Sequence, residues 1–446
     1  MAAGIGLGIS MGWTYAKKGF SAIIQGLFAI LEARSTYFEN ANNSKLSVQE
    51  LETAGLLDKA SIILTPTGYS EDVIHNVKPS ATLFGDMTHI LASTSATRVN
   101  EDGLVTTVVT RDVPRIDYSK GKGAILTELA SVNQIRYSED FSNALWTKAA
   151  ITITSSTKTN PKGVNQTIYN ITRAPASGDG LYASFASAPT GQGTGVSIWI
   201  KRTSGAGSTG NVWIGYGNST SGNGNSVAVG NEWQRISYAS PGVGGGMIYI
   251  DPQYGHYFDV WGAQGEKSSA NGREGMVSSY IPTVSTSVTR PRDNYLNGGD
   301  ASLIGAQEGV FYIEAAVLAD SGISKAVALS ASNSPANRVV IFYSSISNTI
   351  QGRVQASSST TIPINGAVSS TKDFNKIAFK YKSGDLALWI NGTEVATSTT
   401  AFTFNAALSE LAFDQGNGSI HMDGFIKQLA VFKEALTDTE LAALTS

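Results

Sequence analysis

Five aromatic side chains, Trp199, Trp213, Tyr216, Tyr254 and Tyr257, are the residues best suited by type to chemistry in this chain. A flat ring offers a large apolar area at low conformational cost, so several of them on one open face would hold a sugar ring. The interior competes for the same residues, because most aromatics of a β-rich domain fill its core. Reactive groups are sparse. His75, His89, His256 and His421 are scattered without metal-ligand spacing. Gly8-Ile9-Ser10-Met11-Gly12 fits the pattern of a hydrolase nucleophile turn. That motif needs a core strand ahead of it, and the few residues before Gly8, mostly Gly and Ala, cannot supply one. No catalytic residue is therefore assigned. Asp414, Asn417 and Asp423 could offer hard oxygen ligands to a calcium ion, but Asp, Asn and Gly at such spacing read first as turn residues. No metal or cofactor is expected. The absence of cysteine removes disulfides, thiolate zinc sites and a cysteine nucleophile together.

These side chains must be carried by strands. The chain has 446 residues, of which 15% are charged and 47 are Gly, a balance that favours short strands and Gly-containing turns over long surface helices. A net charge of −3 gives no broad basic field for a phosphate backbone, so nucleic acid is not an expected partner. Val196, Ile198 and Ile200 alternate with Ser197, Trp199 and Lys201, placing the two sets on opposite faces of a strand. Further strands are expected at Val212 to Tyr216, Trp233 to Tyr238, Met247 to Ile250 and His256 to Trp261, with Gly-rich turns at 217–224 and 242–246. This spacing reads as a jelly-roll sandwich. A second run of strands opens at Gly309, and Leu386 to Ile390, Asn391-Gly392 and Thr393 to Ala396 spell a hairpin. Asn-Gly supplies the two positive-φ positions of a type I′ turn.

The amino-terminal part reads differently. Lys17 and Lys18 interrupt its apolar residues, leaving a run from Gly19 to Leu31 too short to span a bilayer and without the order of a secretory signal. Phe20, Ile24, Leu27 and Leu31 form the seam of a short helix, either core-facing or a plug or trimer seam that docks into a larger assembly. Ser47 and Glu50 make a capping box for a helix through about Lys59, and Ile62 to Leu64 is a strand stopped by Pro66 and Gly68. The expected fold is mainly β: two tandem β-sandwiches behind a small helical amino-terminal anchor. Its boundaries are a helical segment 1–60, a connector 61–128, a jelly roll 129–293, a linker 294–304 and a second sandwich 305–446.

Tyr137-Ser138-Glu139-Asp140-Phe141-Ser142-Asn143-Ala144-Leu145-Trp146-Thr147-Lys148 resembles the opening phrase of β-sandwich modules in bacteriophage head-spike, head-fibre and tail-fibre proteins. Ala96 to Leu104 and Val113 to Tyr118 before it resemble the segment that precedes those modules. Glu232 to Arg235, Trp261 to Gln264, Ser279 to Thr283 and Val288 to Arg290 follow in the family's order. The likeness covers roughly 62–293, and the chain departs from the family's lead-in at Ile125 to Asn133. Leu386 to Gly392, with Lys380-Tyr381 before it and Ala435 to Leu441 at the end, resembles laminin-G and concanavalin A-like domains across most of 305–446. Lys427-Gln428 stands where many relatives carry an acidic pair, and the Glu-x-Asp-x-x-Glu run of concanavalin-like glycanases is absent.

The resemblance implies a non-enzymatic virion structural protein with a carbohydrate-binding-module-like jelly roll, assembled in the bacterial cytoplasm as a homotrimer or another symmetric oligomer. Its amino-terminal region would bind capsid, portal or tail, and its lectin-like sandwiches would meet host surface glycans. An architectural component binding only other virion proteins, or a polysaccharide depolymerase, are the rival readings.

Overall fold

A computed structural model describes Leu51 and residues 53–64, 76–78, 87–91, 93, 95–108, 114–121, 123–175, 180–185, 193–216, 223–240, 246–267, 277–320, 324–332 and 334–446. The helical seam at Phe20, Ile24, Leu27 and Leu31, the Gly8–Gly12 motif, the Ser47 capping box and His75 lie outside them. No described helix is long and apolar enough to cross a membrane. The fold is mainly β and built of sandwiches.

The alternation at Val196, Ile198 and Ile200 buries all three in the middle of the jelly roll. They belong to a five-stranded antiparallel sheet ordered Ile151–Thr159, Asn165–Arg173, Tyr257–Lys267, Thr194–Ser204, Gln234–Ser240. Facing it is a second five-stranded sheet ordered Gly224–Val229, Gly210–Gly215, Met247–Pro252, Leu181–Ser184, Thr147–Lys148. Leu181, Val212, Ile214, Ile248 and Ile250 on the second sheet pack with Ile171, Val196, Ile198, Ile200, Phe258 and Val260 on the first. The opening phrase completes this core. Phe141 and Trp146 are fully buried with ring centroids 4.7 Å apart, and the Trp146 indole N–H donates to the Tyr137 carbonyl at 3.1 Å.

The other sandwich pairs a nine-stranded sheet with a five-stranded one. Phe311, Ile313, Ile377, Phe379 and Leu388 of the larger sheet pack with Val327, Leu329, Val339, Ile341, Ile350 and Val354 of the smaller. On the far side of the larger sheet, Tyr312, Ala430 and Phe432 are buried with Leu441 and Leu444 of the carboxyl-terminal helix Asp438–Thr445. Thr437 and Glu440 form the capping box that starts this helix. The expected hairpin is present: Asn391 has φ 49° and Gly392 φ 81°, and Leu386–Ile390 pairs with Thr393–Ser398 around them.

The connector and linker expected at 61–128 and 294–304 are not free segments. Ala60–Leu64 pairs with one end of Gly424–Phe432, and Ala124–Thr127 pairs with its other end. Arg115–Asp117 extends the same sheet through Ala124–Thr127. The linker pairs too, since Asn294–Leu296 adds to Thr88–Ile90 with Tyr295 buried. The chain thus begins the carboxyl-terminal sandwich, leaves it to build the jelly roll, and returns. Strands of four or five residues carry little periodicity, and the partner of Ala60–Leu64 and Ala124–Thr127 lies near the other end of the chain, so the local pattern does not reveal the pairing.

Where the chain leaves and returns, a buried ionic cluster ties the exit to the return. Arg115 has no exposed side-chain surface; it donates to Glu128 Oε2 at 2.7 Å and to the Thr97 carbonyl at 3.1 Å, and pairs with both oxygens of Asp293. The Asp293 and Glu128 backbones join through Asp293 N to Glu128 O at 2.9 Å, and Glu128 N donates to Asp293 Oδ2 at 2.9 Å. Arg290 lies 3.4 Å from Glu128, and His89 Nε2 is 3.3 Å from Asp293. Burial by itself would raise the Asp293 carboxyl, but the Arg115 charge, the His89 hydrogen bond and Arg290 hold it below its ordinary range.

A folded-state value below the unfolded one makes this contribution present above about pH 4 and lost as pH falls through the folded value. Urea unfolding should therefore show a stability plateau near neutrality and a decline below about pH 4, and Asp293→Asn should flatten the decline. Arg115→Ala, which strands two buried carboxylates, should cost about 3–5 kcal/mol in the same assay.

Candidate functional site

The outer face of the jelly-roll sheet containing Gly210–Gly215 and Met247–Pro252 brings aromatic rings together. Along Met247–Pro252, Ile248 and Ile250 point into the core, so Tyr249 and Asp251 take the opposite face. Tyr182 lies across from Tyr249, and Trp213 across from Asp251. The Tyr182 and Tyr249 rings stack with centroids 5.5 Å apart and planes 12° apart. Glycines make the floor on which these rings lie. A Cβ at Gly180 would sit 2.7 Å from Tyr249 Cε1, and one at Gly224 would sit 2.7 Å from Trp213 Cε2. The rings are therefore laid along the sheet.

Charge stands beside this platform. Arg173 ends the strand Asn165–Arg173 of the opposite sheet and reaches Asp251 Oδ1 at 2.8 Å. Ser226 faces Trp213 from the next strand. Tyr249 and Asp251 are buried, at 5% and 6% exposure, so the surface open to a sugar ring is that of the half-buried Trp213 and Tyr182 with Ser226 and the Arg173 guanidinium alongside.

The five aromatics singled out from sequence are not brought together. Trp213 is half-buried on this platform. Tyr216 is buried at the sheet's end, 5.6 Å from Tyr238, its hydroxyl 3.1 Å from Asn223 Oδ1. Trp199 lies on the outer face of the other sheet, where Trp261, Tyr280, Ile168 and Val105 are buried and Trp233 packs alongside. Tyr254 and Tyr257 are exposed at a turn at the tip of the sandwich, next to His256. Tyr182 and Tyr249 were missed. The available signal was phase: both occupy the positions opposite to Leu181, Ala183, Ile248 and Ile250 in their strands.

The remaining polar candidates are also dispersed. Asp414 Oδ1 accepts the amides of Gly416, Asn417 and Gly418, closing a tight turn, while Asn417 Oδ1 accepts from Ser419. Asp423 lies apart from them, accepting the Leu129 amide at 3.1 Å. Among the described residues no group of three or more His, Asp or Glu is placed to hold a metal ion. His89 belongs to the buried ionic cluster, His256 packs on Phe258, and burial together with Arg292 keeps the His421 imidazole below its ordinary value.

Residues 311–442 match the family described as the concanavalin A-like lectin/glucanases superfamily. No curated protein matches the chain. Among solved structures, the CBM40 of Ruminococcus gnavus IT-sialidase is similar at 16% identity and a TM-score of 0.29, covering 34% of this chain and 92% of that one. Domain 4 of an extracellular arabinanase from Geobacillus stearothermophilus, in complex with arabinotriose, is similar at 15% identity and a TM-score of 0.29, covering 39% and 83%. A SAP-like pentraxin from Limulus polyphemus is similar at 12% identity and a TM-score of 0.25, covering 31% and 69%. These are likenesses of fold.

The two tryptophans should separate by stability. Trp199→Ala removes packing against Trp261 and Tyr280 and is expected to cost about 2–4 kcal/mol. Trp213→Ala, on the open platform, should cost about 1 kcal/mol, with both read from denaturant midpoints.

Proposed function

We propose that this protein is a non-enzymatic attachment component of a bacteriophage virion, a head or tail fibre or decoration protein, whose jelly roll holds a host-surface glycan on the Trp213 face. The observation that carries the binding reading is the pair of half-buried rings, Trp213 laid on Gly224 and Tyr182 stacked on the buried Tyr249, beside the Asp251–Arg173 pair. Stacking supplies apolar area, while the ion pair and Ser226 offer donors and acceptors to sugar hydroxyls. The virion reading rests on the ordered phrases from Tyr137 to Arg290 that resemble phage fibre modules. Its amino-terminal region, with Phe20, Ile24, Leu27 and Leu31, would fix the protein to capsid, portal or tail, and a homotrimer would present three faces. Many copies on one particle turn weak single-site affinity into useful avidity when geometry lets several engage.

Binding of the full chain to a glycan array of bacterial surface saccharides tests this reading. Saturable binding that weakens about tenfold or more in Trp213→Ala and in Tyr182→Ala, with both variants folded, is the expected result. Absence of binding by the folded chain in its native oligomeric state would replace the reading with a purely architectural one.

A further inference from the structure

The smaller sheet of the carboxyl-terminal sandwich carries an unneutralised pair of arginines on its outer face. Thr349–Ala356 turns Ile350, Val354 and Ala356 into the core, so Gln351, Arg353 and Gln355 face outward. In the neighbouring strand Arg338–Tyr343, the outward set is Arg338, Val340 and Phe342. Val340 pairs with Arg353, which makes Arg338 the diagonal neighbour of Arg353 on the same face.

Each guanidinium is held in place, yet neither has a carboxylate within ion-pair distance among the described residues. The Arg353 guanidinium lies 4.3 Å above the Phe342 ring centroid, and its Nε donates to Gln351 Oε1 at 2.8 Å. Gln351 is fixed in turn by donating to Asn365 Oδ1 at 2.7 Å. Arg338 is 8% exposed; its Nη1 donates to the Gln415 carbonyl at 2.9 Å, while its Nε is buried without a partner. Burial, and next the Arg353 charge, lower the Arg338 pKa against an opposing pull from Asp414. Asp414 makes no ion pair with Arg338; its Oδ1 accepts three backbone amides, and its charge opposes the Arg338 shift only in part. Ile420, whose turn packs on this same face, adopts φ 52°, a left-handed conformation that a β-branched residue disfavours. Two like charges side by side cost free energy that an anion bound at Arg353 would offset.

We propose that this face binds the carboxylate of an acidic saccharide, with Arg353 presenting a pre-set fork and the buried Arg338 adding positive charge from within the sheet beside it. Guanidinium and carboxylate are both planar and match in two parallel hydrogen bonds, a geometry that a tetrahedral anion fits less well. Thr361 and the amides of Gln355, Gln351 and Asn365 continue the same face along the adjoining strands, offering donors and acceptors to ring hydroxyls. Phe342 is buried beneath Arg353 and orients it without meeting the ligand. The site lies on a different sandwich from the Trp213 platform and does not depend on that reading.

Calorimetric titration of the full chain with glucuronic acid, glucose and inorganic sulfate tests the proposal. Saturable binding of glucuronic acid is expected, with no detectable glucose binding and sulfate weaker by about tenfold or more. The affinity for glucuronic acid should fall as sodium chloride is raised. Arg353→Gln should weaken it at least about tenfold, and Arg353→Lys should restore it only in part. Gln351→Glu, which sets a carboxylate against Arg353, should abolish it in a folded protein and serves if Arg353→Gln does not fold. Failure to bind glucuronic acid, binding indifferent to either folded variant, or sulfate binding as tight as glucuronic acid would each overturn the assignment.

Discussion

The guanidinium of Arg115 is the group on which the rest of the structure depends. A fully buried cation is tolerable only where its donors are met, and here Glu128, Asp293, Ser279 and the Thr97 carbonyl meet them. Those partners come from four separate stretches of chain, so the cluster forms only when the strand at 115–117, the entry to the jelly roll and its exit are all in place. Glu128 also accepts the Ser279 amide at 2.8 Å, which carries the constraint into the jelly roll's closing segment. From there Gln264 Oε1 accepts the Ile281 amide at 2.7 Å, and Asn133 donates to the Ala263 and Ile281 carbonyls. A chain of satisfied buried polar groups thus sets how the jelly roll leaves and rejoins the sheet built by its own flanks.

This cluster gives physical content to the phrases that first drew attention in the sequence. Arg115 and Asp117, Gln264, Ser279 and Arg290 are polar residues of those phrases. All are held in buried hydrogen-bond networks or ion pairs rather than at an open surface. Tyr137 to Lys148 behaves likewise: Phe141 and Trp146 close the core, and Lys148 Nζ donates to the Ser142 and Asn143 carbonyls at 3.0 and 2.8 Å. The recognisable part of the chain is therefore the part that specifies its fold, and the faces available to ligands lie elsewhere.

Legibility in the sequence followed the range of the interaction. Where a signal is local it suffices, as with Asn391-Gly392, whose positive φ angles force the turn, and with Val196, Ile198 and Ile200, whose alternation assigns a face. Where pairing spans the chain, as between Ala124–Thr127 and Gly424–Phe432, a four-residue run such as Ala124–Thr127 carries no trace of its partner. Aromatics posed a different problem, because ring type alone does not distinguish a platform from a core. Trp199 and Trp213 both alternate with buried neighbours and both point outward from a sheet. What sets them apart is what covers Trp199: Trp261, Tyr280 and the hairpin of Thr97–Val99 and Val105–Thr107, which lays Val105 in the same cluster.

Both proposed ligand faces lie on the outer sides of sheets whose inner sides carry the two main cores. That placement follows from the period of a strand: each residue committed to the interior fixes its neighbours on the opposite face. Ile248 and Ile250 hold Tyr249 and Asp251 in place; Val339, Ile341 and Val354 do the same for Arg338 and Arg353. Glycine then decides what a face can become. At Gly180 and Gly224 the missing Cβ lets rings lie flat, and at Gly352 it admits the Phe379 ring from the core side, 2.7 Å from where a Cβ would stand, directly behind Arg353. A sheet so packed from within positions its outward side chains without help from loops, and rigid positioning of that kind lets a shallow face select a ligand.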